Sequence, residues 1–233
     1  VTGTEHVRRL GAHWWSNRFF AHRVRLALRR AGGRRCLELG CAHGHILALL
    51  EGAFETHGVD LSPYAVAASR RVAPRSSIRV ADIGHDLQAL FRAGSFDVVF
   101  AKSVFEHLEA PGEVIAACRD LLTPRGVLLF AVPSTSNLLR PLKGEAWIGT
   151  RDPSHVSVLT PRQWSGLLDA NGFEVLRRYS TGFWDVPYVP VLPTALQRAL
   201  FGLPTAVALL TGSAVIPPWL GENLIVEATP RGR

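Results

Sequence analysis

The sequence predicts a doubly wound α/β fold: a mostly parallel, seven-stranded Rossmann-like sheet with its last strand antiparallel, N-terminal helices, and an apolar helical insertion before that last strand. Three observations predict it. Short apolar runs alternate with amphipathic stretches from residue 35 to residue 133, the pattern of a parallel sheet covered by helices on both faces. A glycine-bounded turn, 40–44, follows the first of those runs and opens into a helix. Acidic side chains stand just after the second and third runs, at Asp60 and Asp82, where ligands of such sheets bind.

Residues 5–31 read as a helix, with Phe20, Val24, Leu28 and Ala31 at helical spacing, Arg18, Arg25 and Arg29 on another face, and Gly32 and Gly33 ending it. Arg35–Leu39 is a short strand, and His45–Glu51 begins a helix after the glycine turn. Thr56–Val59 is the second strand. Ser62 followed by Pro63 is a helix start, because the hydroxyl can cap a backbone N–H and the fixed φ of proline suits the first helical position. Ser77–Ala81 and Phe96–Ala101 are the third and fourth strands, Pro111–Leu122 a helix, and Gly126–Val132 the fifth strand. A helix at Pro161–Asn171, a strand at Phe173–Tyr179 and a last strand at Asn223–Ala228 complete the set, the final two pairing at one sheet edge. The expected organisation is a basic helical cap over 1–33 and a main domain over 34–233, with the insertion at 186–220.

With 47% hydrophobic and 19% charged residues the chain has the composition of a globular domain, which argues against disorder. Cys36, Cys41 and Cys118 are too few and too scattered for a disulfide framework or a zinc finger. No signal peptide is read, so a reducing, cytoplasmic setting is expected. The net charge of +7 is uneven: residues 1–35 hold nine arginines and one glutamate, and the rest 17 basic and 18 acidic side chains. A nucleic-acid partner would need basic residues around the catalytic mouth, so none is expected.

The turn itself, Cys36-Leu-Glu-Leu-Gly-Cys-Ala-His-Gly44, excludes two phosphate-binding motifs. A dinucleotide fingerprint needs glycine at 40, 42 and 45, and positions 42 and 45 are Ala and His; a P-loop needs a closing Gly-Lys-Ser/Thr, which is absent. Glu38 would repel a pyrophosphate, whereas it suits an amino or sulfonium cation. Asp60 is placed for a ribose diol and Asp82 for the exocyclic amine of adenine. Together the three acids describe a nucleoside ligand with a positive charge and no phosphate.

At these residues the sequence resembles the class I S-adenosylmethionine-dependent methyltransferases of the broad small-molecule group. LELGCAHG resembles the first motif, GVDLSPYAV the second and ADI the third; SFDVVFAKSVFEHLEAPGEVI, LLTPRGVLLFAVPS and HVSVLTPRQWSGLLDANGFEV resemble the later ones, over residues 34–180. The resemblance implies S-adenosylmethionine as cofactor, bound by Glu38, Gly40, Cys41, Ala42, Gly44, Asp60, Leu61, Asp82, Ile83, Lys102 and His107. It departs from the family at Cys41 and His43, where small residues are frequent. An oxygen acceptor would need a base, and His155 and His107 are the candidates. Some relatives hold a divalent ion with Glu-x-x-Glu-His; here Ser103 replaces the first carboxylate, and no metal is expected.

Residues 199–221 carry no charge. Gly202, Pro204, Gly212, Pro217 and Pro218, and a position between two pairing strands, speak against a membrane span. The stretch reads instead as an apolar lid or helical hairpin over the acceptor site, or as the interface of a homodimer. The arginine-rich N-terminal helix can close over the cofactor through Trp14, Trp15, Phe19 and Phe20, or make peripheral membrane contact. The acceptor is expected to be small and hydrophobic. Two other readings stay open: an RNA methyltransferase using the basic N-terminal segment, and a non-catalytic cofactor-binding module.

Overall fold

In the computed structural model the backbone of residues 3–213 and 216–232 is described, with side chains from Trp15 onward; the side chains of Trp14, Arg8 and Arg9 lie outside the described residues. The chain starts with a long helix, α1 (Gly3–Ala31), whose inner face of Phe19, Phe20, Val24, Ala27 and Leu28 is buried. It continues through β1 (Arg35–Leu39), α2 (His45–Leu50), β2 (Glu55–Asp60), α3 (Pro63–Val72), β3 (Ser77–Val80), the one-turn α4 (Leu87–Leu90) and β4 (Phe96–Lys102). Then come α5 (Pro111–Leu121), β5 (Leu122–Pro133), the one-turn helices α6 (Arg140–Lys143) and α7 (Ile148–Arg151), α8 (Pro161–Ala170), β6 (Phe173–Tyr179), α9 (Thr194–Thr211) and β7 (Asn223–Pro230).

The strand order is β3-β2-β1-β4-β5-β7-β6. All neighbours are parallel up to β5, and β7 runs antiparallel to both β5 and β6. Connections run outward to one side from β1 and to the other from β4, so the order reverses between those two strands and opens a crevice beyond their carboxyl ends.

Strand alternation divides the core into two faces. Cys36, Val98, Phe100, Val127, Leu129 and Ile225 pack with α1, α2, α3 and Ala208 of α9. Leu37, Leu39, Val99, Phe130, Val132 and Val226 pack with α5 and with Trp164 and Leu168 of α8. Cap chemistry fixes two helix starts: Ser62 Oγ accepts from Ala65 N, and Thr160 and Gln163 form a reciprocal capping box ahead of α8.

Two expectations are corrected. The fifth strand begins at Leu122 rather than Gly126, because Phe96 pairs with Leu122 and Val98 with Val127 across a bulge, which keeps the intervening residues extended. The apolar insertion forms a single α-helix, α9, among the described residues and not a helical hairpin. Its start is held by Gln197, whose buried amide bonds the backbone of Tyr188, Val189 and Leu192. The remaining boundaries shift by one or two residues.

Candidate active site

The glycine turn leaves β1 with three residues in the left-handed region: Gly40 at φ 65°, Ala42 at φ 44° and Gly44 at φ 74°. Space enforces the glycines as well. A Cβ on Gly40 would lie 2.6 Å from Val104 Cγ2, and one on Gly44 would lie 2.3 Å from Ser69 Oγ. Ala42 pays a steric cost that glycine would avoid, and its N–H is tied at 2.8 Å to Asp60 Oδ2. The other Asp60 oxygen accepts from Ser62 N at 2.9 Å. Asp60 thus clamps the first turn to the end of β2 and retains lone pairs for a ligand, since a carboxylate accepts at about four sites.

Cys41 points inward. Its thiol is buried beside Gly58 and 3.8 Å from Ser69 Oγ, and burial pushes it up to about 12. Only its backbone is left for the crevice. Leu61 is 70% exposed next to Asp60, and His43 is exposed on the turn. Asp82 is half-exposed at the end of β3 and receives Gly84 N–H and a bond from His85, which hold its carboxyl below the usual range. Ile83, beside it, packs against the second core face.

Glu38 is buried at the centre of the sheet, and its Oε2 has no hydrogen-bond partner. Burial pushes its carboxyl well up, while the Lys102 ammonium opposes the shift. Lys102 ends β4, donates to Asn17 Oδ1 of α1 at 2.6 Å, and is pushed down to about 8 by burial against the pull of Glu38. A buried carboxylate with an unfilled acceptor is costly until a donor reaches it, so the site fits a cationic ligand group.

Val104, which packs on Gly40, leads into a helical turn at Phe105–His107. That turn brings His107 beside His155, with ring centroids 4.7 Å apart in an edge-to-face arrangement. His155 Nδ1 lies 3.2 Å from Gly149 O, and His107 Nδ1 lies 3.2 Å from Ser154 O and 3.0 Å from Ser154 Oγ. A carbonyl only accepts, so each Nδ1 donates, while His155 Nε2 lies 4.0 Å from Asp152 Oδ2. Glu106 completes the cluster: one ligand atom from each of Glu106, His107 and His155 falls within 4.8 Å of the others. Burial pushes Glu106 up to about 7, and its Oε2 is unpartnered. The two histidines are 48 positions apart in sequence, so spacing could not show that His155 supplies a third donor where Ser103 removes a carboxylate.

Sequence reasoning did not single out Asn17, Ser154 or Arg23. Asn17 and Ser154 act through single bonds to distant groups and leave no local pattern. Arg23 is one of nine arginines in the N-terminal segment, yet among the described ones it alone is buried in a closed network: it bonds Tyr179 Oη and Glu227 Oε1, and Tyr179 bonds the same carboxylate at 2.7 Å.

A mostly parallel sheet with this order, a left-handed glycine turn after β1, and acids near the carboxyl ends of β1, β2 and β3 define a domain of the class I methyltransferase type. Residues 11–178 match the methyltransferase-domain family, and the chain belongs to that family; its cofactor is S-adenosylmethionine. Among curated relatives, the ubiquinone biosynthesis O-methyltransferase of Burkholderia cenocepacia is 32% identical over 102 residues, which cover 42% of this chain and 44% of that protein. The match thus spans less than half the length of that relative. A chain from the complex of the Haloferax volcanii Trm112 methyltransferase activator with a methyltransferase superposes at TM-score 0.67 with 19% identity, covering 97% of this chain and 93% of that one. An Archaeoglobus fulgidus S-adenosylmethionine-dependent methyltransferase superposes at 0.61 with 17% identity, covering 91% and 94%. At such identities the likeness is one of fold.

Proposed function

We propose that the protein transfers the methyl group of S-adenosylmethionine to a hydroxyl oxygen of a small, hydrophobic acceptor. The observation that carries this reading is the His107–His155 pair, two imidazoles 4.7 Å apart on the segment that follows Val104, the residue packed on Gly40. The sulfonium supplies an activated methyl group, so the chain has to hold both partners in line and accept a proton.

Each cofactor group has a complement. Glu38 receives the cationic amino acid end, and Lys102 is the counter-ion for its carboxylate. The backbone of Gly40, Cys41, Ala42 and Gly44 lies along the ligand. Asp60 takes the ribose hydroxyls, Leu61 and Ile83 flank the adenine, and Asp82 accepts from its exocyclic amine. His155, the less exposed of the two imidazoles, would take the acceptor proton, with the bound sulfonium supplying the methyl group. His107 lines the same mouth. The Burkholderia cenocepacia relative is an O-methyltransferase, which supports the choice of atom.

The test is transfer of labelled methyl groups to apolar phenols. His155→Ala is expected to lower kcat by about a hundredfold or more with S-adenosylhomocysteine affinity unchanged. Full activity in the double variant of His107 and His155 would refute the base assignment. A second reading rests on the same geometry, because two imidazoles and a carboxylate are a donor set suited to a divalent transition metal. Activity lost on chelation and restored by added metal would select it.

A further inference from the structure

Three connections meet beyond the carboxyl edge of the sheet: residues 134–160 after β5, residues 180–193 after β6, and Glu222 just ahead of β7. Two carboxylates tie them together. Glu222 is buried and accepts from Tyr188 Oη and, at 2.8 Å, from Asn137 Nδ2. The Tyr188 hydroxyl in turn accepts from Asp185 N at 3.1 Å. Asp185 extends this network to the segment that carries His155.

The Asp185 carboxylate lies 3.1 Å from Lys143 Nζ and, through its other oxygen, 3.9 Å from Arg151 Nη1. Lys143 also donates to Asp185 O at 2.6 Å and sits over the Tyr188 ring, 5.3 Å from its centroid. The Lys143 side chain is 7% exposed and that of Asp185 15%, against 54% for Arg151, so the lysine carries the pairing. Between Lys143 and Arg151 stand Trp147, which is fully buried, and Gly149, where a Cβ would lie 2.2 Å from Trp147 Cη2. The Gly149 carbonyl receives His155 Nδ1 at 3.2 Å. The two ends of the segment are thus held by one carboxylate, and its middle holds the imidazole.

A desolvated ion pair adds little stability over apolar side chains of the same volume. What it adds is direction, because charge-assisted hydrogen bonds fix the relative placement of the groups they join. We infer that Asp185 is a positioning residue for His155: by pinning Lys143, with Arg151 on its other oxygen, it fixes the Gly149 carbonyl that selects the donor nitrogen and the tilt of the imidazole. The consequence for catalysis rests on the proposed role of His155 as base; the positioning itself does not.

Imidazole nitrogen NMR shifts of the isotope-labelled full chain test it, with the His155 signals assigned through His155→Gln. In the unaltered protein the His155 proton is expected on Nδ1. A mixture of both tautomers is expected in Asp185→Asn, and in the double change Asp185→Leu with Lys143→Met. In both variants kcat for methyl transfer to an apolar phenol is expected to fall about tenfold to a hundredfold, with S-adenosylhomocysteine affinity unchanged. The double change discriminates, because it removes both charges together and so retains stability; a merely structural role predicts that it restores the tautomer and kcat of the unaltered protein. That restoration would overturn the inference, as would an unchanged Nδ1–H signal in Asp185→Asn. Mixed tautomers with kcat unchanged would uphold the positioning and refute His155 as the base.

Discussion

Asp60 clamps Ala42 N and Ser62 N, and under the proposed function its remaining lone pairs serve the ribose. Asp60→Ala is expected to weaken S-adenosylhomocysteine binding at least tenfold in calorimetry and to cost about 1 kcal/mol of stability, since one exposed and one part-buried N–H lose a charged acceptor. Ala42 is the reverse case. Its φ of 44° is unfavourable for any residue with a Cβ, and Ala42→Gly is expected to change stability by less than about 1 kcal/mol, the relieved strain offset by the looser unfolded chain. Lys102 sets a pH dependence. Its native pKa near 8 lies below the ordinary 10.5, so between these values the unfolded chain holds a proton that the native one has lost, and stability rises with pH through that window. The desolvated ammonium costs up to about 3 kcal/mol at neutral pH. Urea titrations of Lys102→Met are expected to lack this rise; an identical rise in the variant would assign it elsewhere. Glu38, Asp60 and Asp82 were legible in the sequence because each stands at a strand end, where type and position together have chemical meaning. The inward turn of Cys41 was not, since it depends on Gly58 and Ser69 in neighbouring elements.

At the level of elements, the strand–helix order could be read because apolar period and cap residues agree at each start, as at Ser62-Pro63 and Thr160-Pro161. What holds α1 to the sheet could not. Its buried Phe19, Phe20 and Val24 follow from helical spacing, but the Arg23–Glu227 pair joins residues 204 positions apart. Both side chains are buried, with their charged ends 2.6 Å apart. Removing one partner strands the other, so Arg23→Met alone is expected to cost about 3–5 kcal/mol, and the double change Arg23→Met with Glu227→Met much less than the sum of the singles. A double-mutant cycle by urea unfolding measures this; additive costs would show that the pair is not coupled. The single helix of the insertion was also beyond sequence reasoning, because Gly202 and Pro204 look like breaks and the buried Gln197 that anchors its start looks like a surface residue.

For the molecule as a whole, the uneven charge has a structural counterpart. The basic segment is one helix laid against the sheet, whereas Glu38 in β1, Asp60 at the end of β2 and Asp82 just past β3 line up along the carboxyl edge, with Lys102 of β4 acting on Glu38. The most direct measurement is calorimetric titration of the purified protein with S-adenosylmethionine and S-adenosylhomocysteine, with Asp60→Ala and NAD as controls. Binding of both sulfur ligands at one site per chain, lost in the variant and absent for NAD, is the predicted result; no heat from either sulfur ligand, with the protein folded, would contradict the account at its centre.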